Sequence, residues 1–239
     1  MIRGLYNSAA AMDVLSQQQN IISSNLANLT SPGHRRARLG VKMQPQGDLS
    51  TGLHHELGPK VDREVLDFSE GRMEQTGRNL DAAISGDGFF VLQGEQGNMY
   101  TRAGRFYRNP ESGELVNHDG FRVLGEEGPI TIAPDIGDRD ITITSAGEIK
   151  AGDQTLGKLQ VVSFQDNNNL VPVSHSVFME GENSVVAEKL ALVHQFQQEQ
   201  SNSHPVSELT QLIIGTRQYE AVQKAVSAIS EAIQEHINA

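Results

Sequence analysis

Residues 2–29 read IRGLYNSAAAMDVLSQQQNIISSNLANL, and this stretch decides how the chain is organised. Its large apolar side chains recur at two positions of a heptad repeat, and they are Leu5, Met12, Leu15, Ile22, Leu26 and Leu29. Ser8 and Gln19 interrupt this seam. Because no glycine or proline lies between Gly4 and Pro32, the spacing predicts an amphipathic helix of about 25 residues, roughly 38 Å long.

The rest of this predicted helix surface carries almost no charge. Arg3 and Asp13 are the only charged side chains in the first 30 residues, where Ser, Asn and Gln are frequent. A solvated helix normally carries charge pairs on its outer face. Uncharged polar groups on every side favour a helix that contacts other helices on several faces, since buried charges are costly. The alternative is an ordinary helix of a globular domain.

A second amphipathic helix is predicted near the other end, over residues 206–237. Pro205 is suited to a first helical turn, Ser207 to a cap, and Glu208 to the positive end of the helix dipole. Gly215 weakens the seam, because an apolar side chain would otherwise stand there. The residues of this second heptad seam are Leu212, Tyr219, Val222, Val226, Ile229 and Ile233.

Between the ends, short apolar or alternating runs separated by turn residues predict an antiparallel all-β domain. Asp119-Gly120 lies between two such runs and predicts a hairpin. The predicted strands are 89–93, 99–102, 104–108, 115–116, 121–124, 130–132, 141–143, 148–150 and 159–164. Residues 184–200 fit a helix or a strand, and we expect 190–198 to be extended. Residues 39–78 lack sustained periodicity, which predicts an irregular connection with one or two extended pieces.

The fold class expected is therefore α+β: terminal helices forming a coiled-coil-like domain, with a central antiparallel β domain. The predicted divisions are residues 1–31 and 204–239 for the helical assembly domain, 32–78 for an irregular connecting segment with short strands, and 79–203 for the β domain and its return segment.

The composition of the chain excludes or disfavours several classes of function. The chain of 239 residues has no cysteine, which excludes disulfides, thiolate nucleophiles and cysteine-bound metals. With 19 basic and 30 acidic residues, its net charge of −11 disfavours nucleic acid as a partner. No apolar run reaches the roughly 18 residues of a membrane span. The first residues lack a long apolar stretch, so we expect no cleaved signal peptide.

No motif indicates catalysis or metal binding. The patterns considered are His54-His55 for a metal, Gly86-Asp87-Gly88 for phosphate, His118-Asp119 for a serine nucleophile, and Asp62 with Glu64 or Glu126 with Glu127 for acid–base chemistry. Each lacks the accompanying residues that its chemistry requires. The arginines of 35–38 could bind an anionic surface, but we expect them to form a solvated loop or to contact an acidic neighbour. We therefore expect no enzymatic activity, no cofactor and no metal.

Several ordered blocks resemble the bacterial flagellar rod and hook family. The helix exit Asn25-Leu26-Ala27-Asn28, followed by 30–33 (TSPG) and basic residues, is similar to the family's N-terminal signature, although His34 stands where an aromatic residue is usual. Residues 79–91 (NLDAAISGDGFFV) and 100–106 (YTRAGRF) resemble its central block. Residues 124–130 resemble the proximal-rod branch, 201–206 resemble the element before the terminal helix imperfectly, and 216–220 resemble its Arg-x-Tyr-Glu element.

The resemblance implies a structural rod subunit that polymerises through its terminal helices into an axial drive shaft, which transmits torque across the periplasm. It implies as partners copies of itself, other rod proteins and, during secretion, the flagellar export apparatus. The alternatives are a distal-rod or hook-type axial protein and a non-flagellar oligomeric binding module. The predicted assembly interface comprises Leu5, Met12, Leu15, Ile22, Asn25, Leu26, Asn28, Leu29, Leu212, Arg217, Tyr219, Glu220, Val222, Val226, Ile229 and Ile233.

Overall fold

The structure is a computed structural model, and it describes residues 2–43, 59–94, 97–187 and 191–238. The chain divides into two compact units. We call Met1–Ala27, Ala37–Asp67 and Ser203–Ala239 the helical unit, and Asn28–Arg36 with Phe68–Asn202 the β unit. The contacts thus group the described residues 37–43 and 59–67 with the helices, whereas the predicted divisions placed residues 32–78 in a connecting segment.

The helical unit contains α1 (Ile2–Ala27), β1 (Ala37–Met43), β2 (Pro59–Leu66) and α2 (Pro205–Asn238). Pro205 opens α2, as the sequence predicted. α1 ends at Ala27, two residues before the predicted limit. A turn follows it within the β unit, where the Ser31 backbone N–H donates to the Asn28 carbonyl oxygen at 3.1 Å. β1 and β2 form an antiparallel pair with a register shift between Gly40 and Val41, and both contact α1.

The β unit is built from short antiparallel strands, which confirms the predicted mixed α+β class with a central antiparallel region. Its strands are β3 (Met73–Gln75), β4 (Ala82–Ser85), β5 (Phe89–Gly94), β6 (Gly97–Thr101), β7 (Tyr107–Arg108), β8 (Leu115–Val116), β9 (Arg122–Gly125), β10 (Gly128–Pro129), β11 (Ile141–Ile143), β12 (Glu148–Ala151), β13 (Gln154–Lys158), β14 (Val161–Phe164), β15 (Leu170–Pro172), β16 (Val177–Glu180), β17 (Val186–Ala187), β18 (Leu192–Gln195) and β19 (Gln197–Glu199).

The main sheet runs in the order β15-β16-β6-β5-β9-β8-β7, with β10 paired to β9, β14 to β5 and β17 to β14. β11, β12 and β13 form a second sheet, and β18-β4 and β19-β3 are separate pairs. The predicted hairpin at Asp119-Gly120 is present, since Val116 pairs with Arg122 across it. Apolar side chains from several strands form one buried core, including Ile84, Phe90, Leu92, Phe106 and Ile141.

Two strand predictions in this unit are wrong. Residues 130–132 form no strand, although Thr131 makes an isolated bridge with Glu114 and the neighbouring isoleucines make backbone hydrogen bonds to Gly113, Leu115 and Val123. The alternation of apolar and polar residues arises because Ile130 and Ile132 both point into the core. The predicted strand 104–108 shrinks to β7. Its first residue, Gly104, lies against the Ala82 backbone, and a Cβ there would overlap the Ala82 carbonyl oxygen and lie 2.9 Å from a Phe90 ring carbon.

The return segment is extended, as predicted, over the described residues of 190–198. Phe196 separates β18 from β19 and has a φ of +63°, a left-handed conformation that is unfavourable for a non-glycine residue. The kink lets β18 pair with β4 while β19 pairs with β3. Phe196 holds both sides of the kink, since its N–H donates to the Asp81 carbonyl oxygen and its own carbonyl accepts from the Thr76 N–H.

Candidate assembly interface

α1 and α2 contact each other within the helical unit. Val14 and Ile22 are buried on α1. Gly215 is buried on α2, and a Cβ there would stand 3.8 Å from Cγ of Gln19, so the helices approach closely at this point. The remaining seam residues are half-buried, and they are Met12, Leu15, Leu212, Tyr219, Val222, Val226, Ile229 and Ile233.

Asn25 has a specific position in this unit. Its amide Nδ2 donates to the Ala37 carbonyl oxygen at 2.9 Å, and its Oδ1 accepts from the Ala37 N–H at 3.0 Å. Nδ2 also lies 3.3 Å from Oε2 of the buried Glu208 in the first turn of α2. Asn25 therefore fixes the start of β1 to the end of α1 and to α2 inside one chain.

The other predicted interface residues differ in accessibility. Leu26 and Leu29 are half-buried, and Asn28 is buried. Arg217 and Glu220 are exposed on α2. Leu5 lies in α1, but its side chain is outside the described part of the structure. A role for these residues between subunits stays a prediction.

An apolar face of α2 was missed by the sequence reasoning. The large apolar side chains exposed on this helix are Val206, Leu209, Ile213 and Ile214. Val206, Leu209 and Ile213 are three and four residues apart, so they lie along one line on the helix surface. Leu212 and Gly215 belong to the face that contacts α1. The same heptad spacing that identified the inner seam would have revealed this second line.

A buried charge cluster organises the β unit. Glu199 Oε1 accepts from Arg35 Nη2 at 2.7 Å and from the Gly71 N–H at 2.8 Å, while its Oε2 lies 3.5 Å from Arg102 Nη1. All three charged side chains are almost fully buried. Arg102 also donates to the Gly86 carbonyl oxygen at 2.8 Å. The cluster thus joins the loop after α1, the β6 end and β19.

Arg35 contacts an acidic neighbour, which is one of the two outcomes expected for the arginine cluster, but it is buried and not solvated. Its guanidinium is buried, and Nη1 donates to the Ser69 carbonyl oxygen at 2.9 Å. Arg38, by contrast, is exposed and pairs with Asp67 at 3.0 Å. The sequence shows three similar arginines, and only the position of Glu199 in the fold distinguishes Arg35 from the others. Burial also lowers the pKa of the Arg102 guanidinium.

His34 is buried beside the turn that joins β15 and β16. Its Nδ1 lies 2.8 Å from the His175 carbonyl oxygen, so Nδ1 carries the proton and donates. Nε2 is buried without a hydrogen-bond partner among the described residues. Burial, opposed by this hydrogen bond, lowers the pKa of His34 below 6.5, and nearby His175 and Arg35 lower it further. Protonation therefore favours the unfolded chain, and stability falls as pH decreases below 6.5.

Among the described residues, no group of three or more His, Cys, Asp or Glu side chains could hold a metal ion. His54 and His55, the metal pattern considered from the sequence, lie outside the described residues. No helix in the described ranges is long and apolar enough to cross a membrane.

Comparison with known families matches three parts of the chain in order. A model of the flagella basal body rod proteins matches residues 5–34, one of the flagellar hook protein FlgE/F/G D1 domain matches 83–151, and one of the flagellar basal body rod FlgEFG protein C-terminal region matches 194–239. These regions contain α1 with the turn after it, the central strands, and β18 to α2. They define the chain as an axial protein of the flagellar rod and hook class.

Individual relatives span almost the whole chain. The chain is 32% identical to the flagellar basal-body rod protein FlgF of Caulobacter vibrioides over 238 residues, covering 97% of this chain and 95% of the relative. It is 31% identical to FlgG of Agrobacterium fabrum over 258 residues, with 96% of each covered. Identity to FlgG of Bacillus subtilis is 28% over 265 residues, covering 100% of this chain and 99% of the relative.

The chain therefore belongs to the family of flagellar basal-body rod proteins of the FlgF/FlgG type. It is a structural subunit of the rod, located in the basal body, and rod proteins of this family assemble with other rod components.

Proposed function

We propose that this chain polymerises through α1 and α2 into the axial drive shaft and transmits torque along it. The observation that carries the proposal is the surface of the helical unit. α1 is charge-poor outside its seam, with Asp13 and Arg3 as its only charges, and α2 exposes Val206 and Leu209 to solvent. A pair of such helices is marginal alone, because apolar area remains in water. Contact with further helices would bury it.

The helical ends would thus gain order and stability during assembly. The inner seam residues, which are only half-buried in one chain, are available for additional contacts in a coiled-coil-like bundle. The partners we propose are copies of the chain, other rod proteins and the flagellar export apparatus. We propose no enzymatic role, no cofactor and no nucleic-acid partner for it.

The proximal part of the rod is the position we propose. Residues 124–130 resemble that branch, which is the FlgF-like one. The lengths of the alignments with FlgF and FlgG relatives agree with this position. Alignments with FlgG relatives extend over 258 and 265 residues, more than the 239 of this chain, so they require gaps in it. The alignments with FlgF relatives extend over 238 and 237 residues.

The test is genetic and uses the bacterium that carries the chain. Deleting its gene is expected to abolish swimming, and the full chain supplied in trans is expected to restore it and to appear in purified basal bodies. Leu212→Glu with Val226→Glu places charge on the inner seam and is expected to prevent restoration, while Gln218→Glu on the exposed surface of α2 is expected to restore swimming normally. Normal swimming after the deletion, or absence of the chain from basal bodies, would contradict the proposal.

A further inference from the structure

The N-terminal half of α2 carries a line of large apolar side chains that point away from α1. The exposed fractions of Val206, Leu209 and Ile213 are 78%, 50% and 55%. Arg217 follows four residues after Ile213 on the same line and is also exposed. We call these four residues the α2 outer line. Exposed apolar side chains in register on a helix are typical of a helix–helix contact.

α1 has an outer line of complementary shape. Its members are exposed, are spaced alternately four and three residues apart, and are Ala9, Asp13, Ser16, Asn20, Ser23 and Ala27. We call this set the α1 outer line. Its side chains are small or uncharged apart from Asp13, so large apolar residues of another helix could approach its backbone closely without desolvating many charges.

One chain cannot bring its own two outer lines together. α1 and α2 contact each other through their inner faces, where Gly215 lies close to Gln19, so the outer lines point in different directions. A second copy of the chain presents the complementary line. Because the two lines are different surfaces of the same chain, their contact is heterologous and leaves one line of each kind free, which lets further copies add.

We infer that the α2 outer line of one copy packs against the α1 outer line of a second copy, with Arg217 pairing with Asp13. This inference rests on the proposed function and assigns the surface through which two copies meet. Asp13 is the only charge on the α1 outer line, and its Oδ2 accepts a hydrogen bond from the Gln17 amide at 3.0 Å, which orients the carboxylate. The pair fixes the register, and the antiparallel orientation keeps all three apolar residues opposite the α1 outer line, whereas a parallel one would carry Leu209 and Val206 past Ala9, its first member.

In that register, each apolar residue meets small or uncharged side chains. With Arg217 opposite Asp13, Ile213 lies between Ser16 and Asn20, Leu209 beside Asn20, and Val206 beside Ser23, because successive residues advance by the same rise on both helices.

Cysteine cross-linking in assembled basal bodies tests this contact directly, since the chain has no native cysteine. Mild oxidation of cells carrying the double variant L209C/N20C is expected to give a ladder of dimers, trimers and larger multimers. L209C and N20C alone are each expected to give no cross-linked product. The control pair Q218C/N20C, with residue 218 away from the outer line, is expected to give none either.

Charge exchange provides a second, independent measurement. R217E and D13R are each expected to reduce the amount of chain in basal bodies at least about tenfold, because each places like charges opposite one another. The double variant D13R/R217E is expected to restore it to within about threefold.

Each alternative result is diagnostic. A cross-linked dimer from L209C alone would indicate an α2–α2 contact and overturn the inference. The inference is also overturned if the L209C/N20C variant is present in basal bodies but gives no ladder, or if D13R/R217E is present in basal bodies in no larger amount than either single variant. In these cases the proposed function still stands. If the wild-type chain is itself absent from basal bodies, the proposed function fails as well.

Discussion

Replacing Glu199 by glutamine removes the single carboxylate that faces two buried guanidinium groups in the β unit. Glu199 receives hydrogen bonds from Arg35 at 2.7 Å and from the Gly71 N–H at 2.8 Å, and pairs with Arg102 at 3.5 Å. A glutamine keeps the shape, but it has one acceptor oxygen, and its NH2 group faces a cation. Both arginines then remain buried without the carboxylate that paired with them.

The expected loss in the free energy of unfolding is about 3 kcal/mol. Breaking a buried ion pair by removing one partner costs about 3–5 kcal/mol. Glu70 and Asp87 also interact favourably with Arg102, which places the effect at the lower end of this range. With a urea dependence of about 2 kcal/mol per molar, the unfolding midpoint is expected to fall by about 1.5 M.

Urea titration followed by circular dichroism of the β band measures this change, and hydrogen exchange of peptides from 68–105 localises it to the β unit. Glu111→Gln is the matched control, because Glu111 is an exposed loop carboxylate of the same unit, and its variant is expected to lie within about 0.5 kcal/mol of the wild type. A loss below about 1 kcal/mol in E199Q, or equal losses in both variants, would refute the reasoning.

Three further comparisons of variants probe the β unit. The wild type is expected to lose stability relative to H34Q as the pH falls from about 7.5 to about 5.5, because the lowered pKa of His34 disfavours its protonation in the folded chain. A difference in the free energy of unfolding that stays constant with pH in urea titrations would contradict this. F196G is expected to be more stable than F196A by about 1 kcal/mol, because alanine is strained at φ +63°, and equal melting behaviour would argue against the strain. G104A is expected to lower the free energy of unfolding by about 3 kcal/mol, because the added Cβ overlaps the Ala82 carbonyl oxygen. G77A, whose added Cβ has open space around it, is expected to lower it by about 1 kcal/mol, and similar unfolding midpoints would show that the Gly104 contact relaxes.

The parts of the fold that follow local rules were predictable. The hairpin at Asp119-Gly120 depends on a short turn, in which the Asn117 N–H donates to the Phe121 carbonyl oxygen at 2.9 Å. The extended return segment before Pro205 was predicted from the resemblance, because its residue pattern also fits a helix. The strand expected at 130–132 was wrong, because alternating burial does not distinguish a continuous strand from a single bridge that inserts Ile130 and Ile132 into the core. Backbone pairing is decided by neighbours that are distant in sequence.

The assembly surface was predictable only in part for a similar reason. The heptad spacing identified Leu212 and Tyr219 as one side of α2, but it assigned no role to Val206 and Ile213, which form a second apolar line on the same helix. Periodicity shows that a residue lies on a given face. It does not show which of the faces of α2 packs against α1 of the same chain.

The sequence by itself determined that both ends are helices, that the middle is β, and that the chain resembles the rod and hook family. These properties depend on spacing, turn residues and ordered motifs, all of which are local. Only the tertiary structure decided which arginine is buried, because Glu199 lies 164 positions from Arg35 and 97 from Arg102. It also decided that Gly215 faces α1 while Leu209 remains exposed, since burial depends on what packs against a surface.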